Sequence, residues 1–157
     1  GRHEALHNLA IAHYNEGLFD NAEGLISHAI DNCDDSSRIE IFQLAAEIQM
    51  AFDNYMKAGQ FLEKAIALNS NDNSLHIRLA VSYIGMSEYK KAMKVAQNLL
   101  RHRDTMPESQ VIESLQVIAF AHLFLKDSTM ACQTIDQILA FGHQFEISDQ
   151  LKFCNQP

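Results

Sequence analysis

A chain of 157 residues, 47% apolar and 20% charged, is long enough to bury a core and too hydrophobic to be intrinsically disordered. Its 12 basic and 20 acidic side chains leave a net charge of −8, which argues against a nucleic-acid partner, because phosphate binding rests on clustered Lys and Arg. No apolar run reaches the roughly 18 residues that signal a membrane-spanning helix, which argues against a membrane partner.

From the N-terminus, residues 3–15 carry Leu6, Leu9, Ala10, His13 and Tyr14 at helical spacing. Gly17 is suited to the left-handed cap that ends such a helix. A second helix is expected over about 20–32, with Ala22, Leu25, Ile26 and Ala29 on one face. A turn follows at Cys33–Ser37, and Ser37 is placed to cap the next helix. The two stretches Ile39–Asp72 and Asn73–Met106 then read as near-identical helical hairpins. Superimposed, Ala46 falls on Ala80, Tyr55 on Tyr89 and Ala58 on Ala92, each offset by 34. A fixed period of this size is the signature of a solenoid whose units stack on one another. The hairpins break at Asp53–Asn54 and at Met86–Glu88.

Beyond Arg103, Thr105 and Glu108 have the spacing of a capping box, with Pro107 in the first turn. A long helix is expected over about 106–125, a turn at Lys126–Ser128, and a partner helix over about 129–141 that Gly142 ends. Ile147, Leu151 and Phe153 suggest a short terminal helix over about 146–154 that covers the last hairpin. The chain is thus read as one domain with repeats at about 3–36, 39–72, 73–106 and 107–141. The abrupt helical start near Gly1 suggests a fragment of a longer protein.

These spacings and residue types resemble the tetratricopeptide repeat (TPR) family, over about residues 3–141. Leu9-Ala10, Ala45-Ala46, Leu79-Ala80 and Ile118-Ala119 match the pair in each first helix, and Ala22, Ala58, Ala92 and Ala131 the alanine early in each second helix. The family's proline after the second helix is replaced by Asp34, Ser70 and Asp104. Its late first-helix aromatic survives only as Tyr83, with His13, Gln49 and His122 elsewhere. The resemblance implies an all-α, right-handed α-α superhelix of four hairpins with a short C-terminal capping helix.

Three cysteines, Cys33, Cys132 and Cys154, cannot all pair within one chain, and none forms a CxxC. They are read as reduced thiols, Cys132 buried, in a cytoplasmic protein. His3-Glu4-Ala5-Leu6-His7 is a literal HExxH, which on a helix could share Zn²⁺ between two imidazoles with a glutamate to activate water. It falls inside the first helix of a repeat, and no third ligand is placed by any recognisable pattern. A zinc peptidase is therefore the remote alternative, and the chain is read as no enzyme, with no metal or cofactor.

In TPR-like stacks the first helices line a concave face. The resemblance assigns to that face Tyr14, then Gln43, Leu44, Glu47 and Met50, then Ile77, Arg78, Val81 and Ile84, then Gln116, Phe120 and Phe124, with Glu113 and Val117 beside them. Such a stripe is too apolar for a solvated face and marks a protein-binding surface. Gln43, Glu47, Arg78 and Gln116 would orient the partner. TPR domains that clamp a chaperone's C-terminal carboxylate use Lys, Asn and Arg at five positions, which here are His7, Ile11, Leu44, Ser74 and Arg78; only Arg78 fits. The expected function is non-catalytic binding of a helical or extended segment of another protein. The alternative is a homo-oligomeric, self-associating scaffold.

Overall fold

A computed structural model describes residues 1–33, 37–142 and 154. Among them the chain forms four helical hairpins: α1 (Arg2–Asn15) with α2 (Phe19–Asn32), α3 (Arg38–Ala51) with α4 (Tyr55–Leu68), α5 (Asn73–Gly85) with α6 (Tyr89–Leu100), and α7 (Glu108–Phe124) with α8 (Ser128–Leu139). Each helix packs on the next in sequence, and α5 also packs directly on α7. The result is an all-α solenoid. The expected terminal helix over 146–154 lies outside the described residues, apart from Cys154.

Alanines set how closely the two helices of each hairpin approach. Ala10 and Ala22, Ala46 and Ala58, Ala80 and Ala92, and Ala119 and Ala131 each lie twelve residues apart, and all eight are at most 1% exposed. A side chain this short lets backbones come together, and a larger one would push them apart. Larger apolar side chains fill the spaces on either side. Ile26, Ile41 and Ile48 join the first hairpin to the second, and Leu62, Leu75 and Leu79 join the second to the third.

Every hairpin turns through one backbone device. Gly17, Asp53, Ser87 and Lys126 all have positive φ, from 56° to 75°. The amide of the residue after each donates to a carbonyl five positions back: Leu18 to His13, Asn54 to Gln49, Glu88 to Tyr83 and Asp127 to His122, at 2.8–2.9 Å. This is the Schellman closure, which satisfies carbonyls that the helix end would leave bare. Sequence alone flagged the glycine and the neighbouring turns but not the shared conformation, because three of the four positions hold residues that carry a Cβ.

Two sequence expectations are corrected at the fourth repeat. Thr105 and Glu108 form no capping box: Pro107 is the N-cap residue, and the Thr105 hydroxyl donates to the His102 carbonyl within a 3-10 turn at Arg103–Thr105. The extra residues of this repeat are shared between that turn and α7, which at 17 residues is longer than α5 at 13. The second correction concerns the thiols. Cys132, half-buried on α8, is disulfide-bonded to Cys154 with their Cα atoms 5.3 Å apart, and only Cys33 is free. With three cysteines, spacing could not select the pair; proximity in the fold does.

Candidate functional site

The first helices α1, α3, α5 and α7 line one face. Between α5 and α7 lies an open groove of about 640 Å³. Ile77, Arg78, Val81 and Ile84 face it from α5, and Gln116, Phe120 and Phe124 from α7, together with Val117 and Glu113. A smaller hollow of about 280 Å³ lies between α1 and α3, where Tyr14, Gln43, Leu44 and Glu47 meet His7 and Ile11. Arg78 and Glu47 form an ion pair across α5 and α3, each half-buried, so the pair stands between the two hollows. Tyr14 shares this neighbourhood. Burial raises the pKa of its phenol, the Glu47 carboxylate raises it further, and the Arg78 guanidinium works the other way.

The residues differ in what they offer. Val81 and Phe124 are 42% and 45% exposed, and the Phe124 ring stacks on Tyr89 with centroids 5.0 Å apart and planes 7° from parallel. Leu44 and Ile77, expected as open contact residues, are only 6% and 5% exposed. Leu44 belongs to the core cluster that joins α1, α2 and α3. Both make floor, not wall. Met50 lines neither hollow; it packs against the Ala46, Ala58 and Leu62 cluster at the second hairpin. Arg78 is not free to orient a ligand, because Glu47 already engages it.

Sequence reasoning left out Ser109 and Gln110, which also line the larger groove. They precede Glu113 by one turn of α7, and i, i+3 spacing within the expected helix extends the stripe from Glu113 back to Gln110. The Gln110 side-chain Oε1 is buried and has no hydrogen-bond partner among the described residues.

His3 Nε2 lies 3.3 Å from the Ser37 hydroxyl, tying the start of α1 to the start of α3. Among the described residues no three His, Cys, Asp or Glu side chains are grouped to hold a metal ion. His122 Nδ1 lies 3.5 Å from the Asp127 carboxylate, whereas His13 Nδ1 is buried with no hydrogen-bond partner among the described residues. Gln49, in the position of a family aromatic, is 3% exposed and donates to Glu23 Oε1 at 2.7 Å. Lys57 bonds the same carboxylate oxygen at 3.1 Å. Among the described residues no helix is long and apolar enough to cross a membrane.

The same hairpin stack recurs in solved structures. A tetratricopeptide repeat protein from Parabacteroides merdae matches 98% of this chain with a TM-score of 0.74 at 17% identity. The fold is the TPR fold. A MamA protein matches 93% of the chain at TM-score 0.73 and 19% identity, with 79% of its own length covered. An Hsp90 co-chaperone, Cns1 from Saccharomyces cerevisiae, matches 86% at TM-score 0.69 and 20% identity. This TPR-fold chain spans 57% of the Parabacteroides protein and 44% of Cns1. No family model and no curated protein matches the sequence. At these identities the likeness extends to the fold alone. Of the five positions of the TPR carboxylate clamp, Leu44 is buried, the Ser74 hydroxyl donates to Asp72 at 2.7 Å, and Arg78 is paired with Glu47.

Proposed function

We propose that this TPR-fold chain is a non-catalytic module that holds a segment of another protein in the α5–α7 groove. The observation that carries the reading is an apolar trough left open among the described residues: Val81, Phe120 and Phe124 wall a space of about 640 Å³. That volume suits one ordered segment, since binding pockets commonly span about 300–1,000 Å³. Covering exposed apolar surface yields roughly 25 cal/mol per Å², and this would drive association. The smaller hollow by Tyr14 and Gln43 plays a secondary part, because Arg78 and Glu47 stand between it and the larger groove. The Cys132–Cys154 disulfide supports an oxidising compartment over the cytoplasm expected from reduced thiols.

Val81→Asp is the test. Peptides selected from a random dodecapeptide library on the unaltered domain are measured against the variant. An unpaired carboxylate against an apolar ligand side chain carries a desolvation penalty of several kcal/mol, so affinity is expected to fall about a hundredfold or more. Circular dichroism on the same sample is expected to be unchanged, because Val81 is exposed and joins no core cluster. An unfolded variant would place Val81 in the core, and unchanged affinity would remove the groove as the site. A second copy of the chain in the groove would appear as concentration-dependent mass in light scattering.

A further inference from the structure

The α5–α7 groove is graded. Both helices are first helices of their hairpins and run in the same sense. At their N-terminal ends Ser74, Ser109, Gln110 and Glu113 face the groove; towards their C-terminal ends the lining is Val81, Ile84, Phe120 and Phe124. Two charged side chains line it, and they are not equivalent. The Arg78 guanidinium is engaged by Glu47, while Glu113 makes no ion pair among the described residues. The open charged group at the polar end is therefore the exposed Glu113 carboxylate, an acceptor. Glu40, which lines the smaller hollow, is also acidic and exposed. The chain as a whole carries −8.

We infer that the groove selects a cationic segment, in which one Lys or Arg meets Glu113 while an apolar pair lies against Val81, Phe120 and Phe124. This rests on the groove reading above and adds to it the charge and polarity of the occupant. A Lys ammonium or Arg guanidinium is a pure donor and carries the charge opposite to the Glu113 carboxylate. An anionic residue at that end would face Glu113 with its only competing cation already neutralised. Charge complementarity of this kind fixes which way a segment lies and speeds its encounter. From Glu113 to Phe120 the rise along α7 is roughly 10 Å at 1.5 Å per residue. A helical occupant would therefore set its cation about seven residues from the apolar pair. An extended occupant would set it about three residues away.

The experiment is selection of the same random dodecapeptide library, run in parallel on the unaltered domain, Val81→Asp and Glu113→Lys. Enriched peptides are expected to carry Lys or Arg at one of those two spacings from an apolar pair. They are expected to lose binding on Val81→Asp and to lose about tenfold or more on Glu113→Lys at low ionic strength, the loss shrinking with added salt. Selection on Glu113→Lys is expected to turn the preference to Asp or Glu. Peptides that depend on Val81 but carry no basic residue, or are indifferent to Glu113→Lys, would overturn the cationic inference and leave the groove reading standing. Peptides indifferent to Val81→Asp, or no enrichment at all, would overturn both.

Discussion

The Tyr55 ring lies directly against Gly85, so that a Cβ built on Gly85 would stand 2.2 Å from the ring carbon Cγ. The contact joins the start of α4 to the end of α5 and so fixes one hairpin on the next. Gly85→Ala is expected to force the ring aside. Overpacking of this kind costs about 1–3 kcal/mol, partly offset by about 1 kcal/mol from the better helix propensity of alanine. A urea midpoint that rises in the variant would show that the ring yields freely.

Lys126 holds the left-handed turn of the last hairpin at φ 62°. Glycine adopts this conformation without the Cβ penalty, but it gives the unfolded chain more freedom. The net expectation for Lys126→Gly is a gain of about 0.5–1 kcal/mol, and for Lys126→Val a loss, because β-branched residues rarely enter this region. Thermal melts of the two variants are expected to move in opposite directions. A shared direction would mean that the turn is not left-handed.

Glu23 accepts hydrogen bonds from Gln49 and Lys57, and these hold its carboxyl below the usual value of 4.5, against an opposing contribution from burial. Because the folded-state pKa lies below the unfolded one, the stabilisation is fully present above about pH 4.5 and is lost as pH falls through the folded value. Glu23→Ala also strands the buried Gln49 amide, a cost of about 1–3 kcal/mol at neutral pH. The difference between the unaltered domain and the variant is expected to narrow in acid. A difference constant down to pH 3 (about one and a half units below the usual value) would mean that the carboxylate charge is not what holds Gln49.

Cys132 and Cys154 are 22 positions apart. A cross-link closing a loop of that length is worth about 3 kcal/mol on chain-entropy grounds. Cys132→Ser is expected to lower the melting temperature and to make it insensitive to reductant. The unaltered domain treated with reductant is expected to melt with the variant. No effect of reductant on the unaltered domain would argue that the two sulfurs are not bonded.

The repeat architecture was readable from sequence because its signal is redundant. Four alanine pairs, four turns and a period near 34 all point to one fold. The groove was readable only in part, and the reason is physical. On the concave face of a solenoid the same first-helix stripe serves both the open surface and the contact between neighbouring repeats. Helical spacing puts Leu44 and Val81 on equivalent faces, yet the first is 6% exposed and the second 42%. What separates floor from wall is whether the side chain reaches back among the packed helices: Leu44 joins the core cluster of α1, α2 and α3, whereas Val81 joins none. The Arg78–Glu47 pair was likewise hidden. Both residues could be assigned to the face, but their mutual reach depends on how consecutive hairpins are stacked. Gln49 shows the converse, since sequence marked it only as a polar residue in an aromatic's place, and in the fold its buried amide donates to Glu23.

The constant twelve-residue interval between paired alanines bears on where this chain can change length. From Ala22 to Ala46 there are 24 positions, from Ala58 to Ala80 there are 22, and from Ala92 to Ala119 there are 27. All the variation falls between hairpins. Inside a hairpin, one added residue would rotate the second helix by about 100° and turn its alanine away from the crossing. Ahead of α7 the added residues are absorbed by a 3-10 turn and a longer helix, and the crossing at Ala119 and Ala131 keeps its register. The solenoid therefore has soft seams and rigid units. Insertions, tags or grafted loops belong in the seams, next to Ser37 or between Leu100 and Glu108, where the chain already carries its own additions.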